Sequence, residues 1–177
     1  MHPVSISKII FPFMVTVFLS LGSNVEARHR NMEEMLAMLT PVLAPPIKTS
    51  RLMETEPVEV TERQQWYLNR IVAGSYGHTA KDLLGECRRI ENALGRVRSY
   101  RHSPRTADID ILVFGDSIIR DPALCIPHAG LLKRRFCLEG IREIAPELML
   151  PGVGVRIGEW YEAADETIKD QRIRFIG

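Results

Sequence analysis

The first apolar stretch of the chain covers residues 9–21 and reads IIFPFMVTVFLSL. Within it, Val15, Val17 and Leu19 recur in steps of two, and the turn-forming sequence LGSN follows. A period of two that ends in a turn is typical of a β-strand. The pattern therefore predicts a buried first strand at about residues 15–21.

The same stretch also has features of a secretory signal peptide. Lys8 precedes it, and the small-residue sequence VEA at 25–27 resembles a cleavage site. Met14 offers a third interpretation, in which translation starts there and residues 1–13 are a disordered or wrongly assigned extension. We expect the strand interpretation, with residues 14–177 forming a single domain.

The remaining pattern interleaves helices and strands. Apolar residues at helical spacing predict helices at about 29–43, 79–94, 131–146 and 157–165. Stretches with a period of two predict strands at about 47–54, 66–75, 108–114, 117–120 and 171–176. Since several strand pairs have an antiparallel arrangement in this order, the pattern predicts an α+β sandwich of a sheet and helices.

Composition narrows the class of protein. The chain has 177 residues, of which 45% are hydrophobic and 25% charged, and this fits one globular domain with its own core. A net charge of +1 argues against a protein that coats nucleic acid, and no apolar stretch is long enough to predict a membrane span. Three cysteines without metal-binding spacing predict reduced thiols and a cytoplasmic protein.

The most unusual stretch is GRVRSYRHSPRTADIDI at residues 95–111. Four arginines lie within ten residues: Arg96, Arg98, Arg101 and Arg105. Guanidinium groups stay charged at working pH, and their planar fork suits phosphate oxygens. We therefore expect a mobile loop that closes over a phosphorylated ligand.

Two carboxylates follow this loop. Asp108 and Asp110 are two residues apart on a predicted strand, so both side chains face the same way, while Ile109, Ile111 and Val113 are expected to face the core. Paired carboxylates recruit hard cations such as Mg²⁺. Two acids on a solvated sheet face that balance nearby arginines would give the same pattern, but the four adjoining arginines favour a metal–phosphate site.

A second charged stretch, IPHAGLLKRRF at residues 126–136, precedes and begins a predicted helix. Helix N-termini favour anions, so His128 and Arg134 are candidates for phosphate contacts, although a histidine before a helix is usually structural. The inward face of this helix is expected to hold Leu132, Phe136, Ile141 and Ile144. The chain has neither a P-loop nor a dinucleotide-binding glycine fingerprint.

Six motifs run along the chain in a fixed order. They are LGSN at 21–24, YLN at 67–69, IENALGRVR at 90–98, PRTADIDILVFG at 104–115, IPH at 126–128 and EIAPEL at 143–148. In this order, over about residues 15–160, the chain resembles the 6-hydroxymethyl-7,8-dihydropterin pyrophosphokinase family. The resemblance implies a ferredoxin-like α+β fold, an α/β/α sandwich whose mainly antiparallel sheet is flanked by helices. It also implies transfer of pyrophosphate from ATP to a hydroxymethyl-dihydropterin, with release of AMP, in folate biosynthesis.

The resemblance further implies roles for individual residues. Asp108 and Asp110 would bind two Mg²⁺ ions on the phosphates of the co-substrate ATP, and Arg96 and Arg105 would assist the transfer. Four residues fall where the family builds its pterin pocket: Thr55, Tyr67, Asn69 and Phe136. Six resemble ATP contacts: Glu91, Arg98, Arg101, Ile111, His128 and Arg134. The implied partners are ATP and the pterin, without nucleic acid or membrane, and we expect a monomer.

The chain departs from the family at four positions. His102 stands where a tryptophan is frequent, Ser103 replaces a glycine or alanine, Ala129 replaces a larger residue, and Cys125 replaces a hydroxyl-bearing or basic residue. These departures concern loop closure and adenine packing more than the chemistry of transfer.

Two other functions remain open at this stage. One is a metal-dependent phosphotransferase on the same scaffold with another heterocyclic alcohol as acceptor. The other is a non-catalytic nucleotide- or RNA-binding module that uses the arginine loop. The near-neutral total charge argues against the binding module, and so does the carboxylate pair, which repels phosphate unless a metal is present.

Overall fold

The computed structural model describes residues 14–25, 27–57, 64–96 and 104–176. The strands are β1 (Val15–Ser23), β2 (Ala44–Thr49), β3 (Leu52–Thr55), β4 (Tyr67–Tyr76), β5 (Asp108–Phe114), β6 (Ile119–Asp121), β7 (Leu124–Ile126) and β8 (Ile173–Ile176). The helices are α1 (Arg28–Leu39), α2 (Ala80–Ala93), α3 (Arg135–Ile144), α4 (Ile157–Glu162) and α5 (Glu166–Lys169), with 3₁₀ turns at Thr40–Val42 and Leu131–Lys133. The predictions for residues 1–13, Arg98, Arg101, His102 and Ser103 lie outside the described residues.

The first apolar stretch supplies an interior strand of the main sheet. The strand order is β5-β1-β4-β3-β8, β2 also pairs with β4, and each of these pairings is antiparallel. Leu19 and Leu21 of β1 are 0% exposed. The prediction of a buried first strand is confirmed, because β1 has a neighbour on each side and apolar cover on its faces.

Apolar side chains cover both faces of the sheet. On one face, Met35 of α1 and Leu83 of α2 pack in the same buried cluster as Leu19 of β1. On the other face, Leu138 of α3 packs with Phe18 of β1. Burying a side chain of this size stabilises the fold by about 2 kcal/mol. The predicted α+β sandwich, with helices on both faces of an antiparallel sheet, is confirmed.

Helix α2 begins with a side-chain cap at Thr79. The Thr79 Oγ1 atom accepts a hydrogen bond from the Asp82 backbone N at 3.2 Å, and the Asp82 carboxylate accepts one from the Thr79 N at 3.1 Å. This reciprocal capping box satisfies two backbone donors that a helix start leaves open. Glu91, near the far end of the helix, is buried, with only 3% of its surface exposed.

Strand β5 contains a bulge that the sequence does not reveal. Leu19 of β1 pairs with Ile111 and Phe18 pairs with Val113, so Leu112 is an extra residue. Asp108, Ile109, Asp110 and Ile111 keep the predicted alternation, but Val113 lies in the same cluster as Leu112 on the α3 side. The prediction that Val113 shares a face with Ile109 is therefore wrong, because the bulge shifts the alternation by one residue.

The strand predicted at 47–54 is two strands. Ser50 lies between β2 and β3, where its backbone N donates to Ile71 O at 2.9 Å and its Oγ accepts from Ile71 N at 2.9 Å. The chain can therefore change direction while Ile71 of β4 keeps its hydrogen bonds. Pro45 and Pro46 lie inside β2, whose register with β4 is irregular.

Helix α3 is shorter than predicted. It begins at Arg135 after a 3₁₀ turn, and its buried face includes Cys137, Leu138 and Ile141. A Cβ placed on Gly140 would lie 2.3 Å from the Ile71 side chain, so this glycine sets the contact between helix and sheet.

The apolar residues predicted on the inward face differ in how deeply they are buried. Leu132, Phe136 and Ile144 pack against the core cluster that contains Ile141, as predicted, but their side chains are only half-buried at its edge. The sequence also misses β7, which pairs with β6 in a small hairpin and leads to His128.

Within the described ranges, no helix has the length and apolar character of a membrane-crossing segment.

Candidate active site

The carboxylate pair opens into a cavity of about 890 Å³. Asp108 and Asp110 lie on the same face of β5 and both line this cavity, as predicted. Ile109, between them, packs into the core on the opposite face and anchors the strand. The alternation of β5 therefore presents two acids to one solvent-filled space.

Gly22 of β1 forms the cavity wall beside the carboxylates. It is paired with Asp108 on one side and with Asn69 on the other. A Cβ at this position would lie 3.1 Å from Asn69 Oδ1 and 3.7 Å from Asp108 Cβ. Glycine thus leaves room for the two polar side chains to line the same cavity from adjacent strands.

Asp108 lies between two arginines. Arg105 Nη1 lies 2.6 Å from Asp108 Oδ2, and Arg96 Nη1 lies 2.9 Å from Asp108 Oδ1. Arg105 lines the cavity, whereas the Arg96 side chain is only 10% exposed and lies behind the carboxylate. Burial is the largest single influence on Arg105 and opposes its charged form, but Asp108, Tyr67 and Asp110 together outweigh burial and raise the pKa of Arg105.

Glu91 supports this arrangement from α2. Its Oε1 accepts a hydrogen bond from the Ile109 backbone N at 2.8 Å and is also paired with the Arg96 guanidinium. Because Ile109 lies between Asp108 and Asp110, this bond fixes the backbone that carries both acids. Glu91 does not line the cavity, so the structure places this predicted ATP contact in a supporting position.

Asp110 faces two basic side chains from the segment before α3. Its Oδ2 lies 3.6 Å from Arg134 Nη1 and 4.0 Å from His128 Nε2. His128 Nδ1 accepts a hydrogen bond from Gly130 N at 3.1 Å, so a neutral ring carries its proton on Nε2, toward Asp110. Burial and the Asp108 charge raise the pKa of Asp110, while His128 and Arg134 act in the opposite direction.

The bulge in β5 places the histidine. The His128 backbone N donates to the carbonyl of Leu112, the extra residue, at 2.9 Å. This bond joins the IPH segment to β5 two residues beyond Asp110. The two predicted phosphate contacts, His128 and Arg134, are thereby brought to the same cavity as the carboxylates.

An aromatic and polar region forms the other part of the cavity. Thr55, Tyr67, Asn69 and Phe136 all line it, as the resemblance implies. Asn69 Nδ2 donates to Thr55 Oγ1 at 2.8 Å, and burial raises the pKa of Tyr67, whose hydroxyl therefore stays neutral. The cavity thus has a charged part on β5 and, on β3, β4 and α3, an uncharged part formed by these four side chains, beside which Glu56, Lys133 and Arg172 also line the cavity.

Ile111 differs from the other predicted contacts. Its side chain is 3% exposed in the core and does not line the cavity. Arg98 and Arg101 lie outside the described residues, so their predicted contacts with ATP are not placed. Ala129, one of the departures from the family pattern, does line the cavity.

Sequence reasoning did not identify Asn24 as a support of the site. Asn24 is 2% exposed, and its side-chain Nδ2 donates to Gln64 Oε1 at 2.9 Å. Its only sequence signal is the LGSN motif, which predicts a turn.

A second missed feature is the C-terminal segment, where Asp170, Gln171 and Arg172 line the cavity far from any of the six motifs.

The donor set fits a substrate-linked Mg²⁺ ion. Among residues 14–25, 27–57, 64–96 and 104–176, no group of three or more histidines, cysteines and acids could hold a metal. Mg²⁺ characteristically binds through one or two carboxylates and completes its shell with water and substrate phosphates. Asp108 and Asp110 match that requirement.

Solved structures support the fold. The chain is similar to the HPPK-DHPS protein of Plasmodium falciparum in complex with pteroate, with a TM-score of 0.70 and 16% identity. The superposition covers 92% of this chain and 48% of that chain. The A437G form of the same protein gives a TM-score of 0.70 at 15% identity, over 93% of this chain and 43% of that one.

Sequence relatives fall into two length classes. The folic acid synthesis protein fol1 of Pneumocystis carinii is 32% identical over 86% of this chain, but the chain spans only 21% of that protein. The 2-amino-4-hydroxy-6-hydroxymethyldihydropteridine pyrophosphokinase of Bacillus subtilis is 32% identical, over 87% of this chain and 96% of the relative. The protein of the same name from Methylorubrum extorquens is 38% identical, over 81% of this chain and 90% of the relative.

The family profile agrees with these relatives. It matches residues 18–146, which include most of β1, the carboxylate pair and the whole of α3. The chain belongs to the 7,8-dihydro-6-hydroxymethylpterin-pyrophosphokinase (HPPK) family.

Proposed function

We propose that this protein transfers pyrophosphate from ATP to the hydroxymethyl group of 6-hydroxymethyl-7,8-dihydropterin, in folate biosynthesis. The observation that carries the proposal is the division of one cavity into two parts. Asp108, Asp110 and Arg105 supply the charged part, and Tyr67 and Asn69 belong to the uncharged part. A polyphosphate and a flat heterocyclic alcohol are the two reactants that such a cavity suits.

In this reaction the pterin hydroxyl oxygen attacks the β-phosphorus of ATP. A bond forms between that oxygen and the β-phosphorus, the bond from the β-phosphorus to the oxygen bridging it to the α-phosphorus breaks, and AMP leaves with the bridging oxygen. The hydroxyl proton is released. Little covalent work falls to the protein, so positioning and charge neutralisation account for most of the catalysis.

Asp108 and Asp110 hold the metal in this proposal. They are the two carboxylates of β5 that line the cavity, and the resemblance implies two Mg²⁺ ions at this position. Bound Mg²⁺ supplies positive charge that neutralises the phosphates. Arg105 on one side and His128 and Arg134 on the other would contribute further positive charge to the phosphate oxygens.

Arg105 is the proposed catalytic arginine. It lines the cavity, and its guanidinium lies within 2.6 Å of Asp108, where negative charge on a transferring group would develop. Arg96 acts from behind Asp108 and shares its charge between Asp108 and Glu91. His128 and Arg134 contact ATP phosphates from the other side of Asp110, and Arg98 and Arg101 complete the ATP contacts.

The uncharged part holds the pterin. Tyr67 and Phe136 offer aromatic faces to a flat ring, and aromatic contacts of this kind favour ring centroids about 4.5–7 Å apart. Asn69 and Thr55 offer an amide and a hydroxyl to the ring edge, and their mutual hydrogen bond sets the orientation of the amide. We further propose that the protein acts as a monomer in the cytoplasm, with 14–177 as one domain.

Product analysis tests the reaction. The purified protein would be mixed with ATP, Mg²⁺ and 6-hydroxymethyl-7,8-dihydropterin, and the nucleotides and pterins would be separated by chromatography. We expect AMP and a pterin diphosphate in equal amounts. Formation of ADP with a pterin monophosphate would overturn pyrophosphate transfer, and turnover only with another heterocyclic alcohol would overturn the assignment of the acceptor.

A further inference from the structure

The segment from Lys169, the last residue of α5, to Ile173, the first residue of β8, bounds one side of the substrate cavity. Asp170, Gln171, Arg172 and Ile173 line that side. This segment follows residue 146, where the match to the family ends, and none of its residues has a role in the proposal above. Its contacts nevertheless reach the start of α3 and the end of β3, which both contribute to the aromatic part of the site.

Gln171 joins this segment to the start of α3. Its Nε2 donates a hydrogen bond to the Lys133 carbonyl at 2.8 Å, and its Oε1 accepts one from the Arg135 backbone N at 2.9 Å. Lys133 and Arg135 are the two neighbours of Arg134 in the chain. A single side chain therefore fixes the backbone on both sides of a residue that faces Asp110.

The start of α3 needs this support because its own sequence provides no cap. Arg134 stands at the N-cap position and makes no side-chain capping bond, while the first backbone N–H groups of a helix require acceptors. Gln171 provides the acceptor for Arg135 N from a distant segment, as a local cap residue would do. The Arg135 guanidinium in turn donates to the carbonyls of Lys169 and Gln171.

The next residue reaches the opposite wall. Arg172 accepts a hydrogen bond on its carbonyl from Glu56 N at 3.4 Å, and its side-chain Nε lies 3.4 Å from Glu56 Oε2. Glu56 directly follows Thr55, at the end of β3. The two consecutive residues Gln171 and Arg172 thus connect the wall that carries Thr55 with the wall that carries Phe136.

We propose that Gln171 is a positioning residue for the pterin substrate, which acts by fixing the backbone around Arg134 and Phe136. The inference rests on the proposed function for the identity of the ligand. Without the two hydrogen bonds of the Gln171 side chain, only the bonds of the Arg135 guanidinium to the Lys169 and Gln171 carbonyls hold the start of α3 to this segment, and Phe136 is positioned less precisely. The main effect is then weaker pterin binding, with a smaller effect on turnover at saturating substrate.

Three variants test this role. Gln171→Met keeps the length of the side chain and removes both hydrogen bonds. Gln171→Glu keeps an acceptor for Arg135 N and loses the donor to Lys133. Glu166→Gln is the control in the neighbouring helix, since the Glu166 side chain is 80% exposed and does not line the cavity.

Two measurements on each variant separate positioning from general stability. The first compares the KM for pterin with the KM for ATP and with kcat, together with the Kd for pterin in the presence of a non-reactive ATP analogue. The second follows hydrogen exchange at the Arg135 amide.

For Gln171→Met we expect pterin KM and Kd to rise about tenfold, the scale of one to two lost hydrogen bonds, with faster Arg135 exchange. Gln171→Glu should fall between parent and Gln171→Met, and Glu166→Gln should match the parent.

Two results would overturn the role of Gln171. One is an unchanged pterin KM and Kd in Gln171→Met. The other is a lower kcat alone, in proportion to a smaller folded fraction, since that is the signature of a general stabilising role. If the parent binds no pterin, the proposed function fails instead. The Arg135 exchange rate then still decides whether Gln171 fixes the start of α3, and an unchanged rate refutes it.

Discussion

Asn24 and Arg105 hold each other by reciprocal hydrogen bonds. The Asn24 backbone N donates to the Arg105 carbonyl at 3.1 Å, and the Arg105 backbone N donates to Asn24 Oδ1 at 2.7 Å. Asn24 also contacts Gln64, so one buried side chain connects the residue after β1 with the residues that precede β4 and β5. The position of the proposed catalytic guanidinium is therefore fixed from outside its own loop.

Asn24→Ala should lower both activity and stability. It removes the acceptor for Arg105 N and the donor to Gln64, and an unpartnered backbone N–H costs up to about 1–3 kcal/mol, the upper end applying only where it is fully buried, whereas the Arg105 N–H is partly buried. Because the Arg105 guanidinium is then less well placed, part of its stabilisation of the transition state is lost. We expect kcat to fall, by roughly tenfold for each 1.4 kcal/mol of that stabilisation. Steady-state kinetics and urea denaturation measure the two effects. Asn92→Ala, at an exposed position of α2, is the control, and equal kcat in both variants would contradict this role.

Arg105→Ala should lower turnover more than ATP affinity. Its charge acts mainly when charge develops during transfer, and removing one such group costs about 3 kcal/mol, or roughly 10² in kcat. Single-turnover kinetics with separate ATP-binding measurements distinguish the two effects. Arg89→Ala, an arginine paired with Glu86 on the surface of α2, should behave like the parent. A loss of ATP affinity without a loss of kcat would refute the catalytic role.

Glu91→Gln should destabilise the protein strongly. The variant keeps an acceptor for Ile109 N but removes the charge opposite Arg96, and a buried arginine that loses a partner costs about 3 kcal/mol. The matched control is Glu86→Gln in the same helix, whose exposed pair with Arg89 contributes less than about 1 kcal/mol. Urea denaturation monitored by circular dichroism measures both. Equal urea midpoints for Glu91→Gln and Glu86→Gln would contradict a stabilising role for the buried pair of Glu91 and Arg96.

The three thiols should differ in reactivity. Burial raises the pKa of Cys87 to about 12 and raises the pKa of Cys137 as well, while Cys125 is half-buried. At pH 8 a thiol with a pKa of about 12 is ionised in roughly one molecule in ten thousand, and the thiolate is the reactive form. A chromogenic disulfide reagent at pH 8 should therefore label Cys125 first, and all three in urea. Rapid labelling of Cys87 in the native protein would contradict its placement.

Truncations test the interpretation of the N-terminal stretch. Deletion of residues 1–13 leaves β1 intact and should leave the melting temperature and activity unchanged. Deletion of residues 1–27 removes β1, which pairs with both β4 and β5, and should abolish the cooperative unfolding transition. A folded, active protein lacking residues 1–27 would show that the fold does not need its interior strand.

The sequence predicts those parts of the fold that depend on local periodicity. The buried β1, the capped start of α2 and the shared face of Asp108 and Asp110 all follow from spacing and cap residues, and the structure agrees. Val113 shows where local reasoning fails. A bulge adds one residue to a strand without a sequence mark, and only the pairing with β1 reveals it.

The sequence likewise predicts one part of the site and misses another. The cavity-lining residues of the motifs could be identified because the motifs are short and follow one another in a fixed order along the chain. Gln171 could not be identified, because its partners at Lys133 and Arg135 are distant in sequence and both are backbone atoms. A side chain whose partner is a distant backbone group leaves no pattern of residue types, so tertiary structure is needed to recognise it.

The most direct test of the account measures nucleotide binding at the carboxylate pair. Isothermal titration calorimetry would compare α,β-methylene-ATP binding in Mg²⁺ and in EDTA for the parent, for Asp108→Asn, and for the control Asp116→Asn, an exposed acid just beyond β5. We predict that the parent and the control bind at least tenfold more tightly in Mg²⁺, and that Asp108→Asn loses this difference. Equal affinity of the parent with and without Mg²⁺ would contradict a metal–phosphate site at Asp108 and Asp110 and would favour a metal-independent nucleotide-binding module.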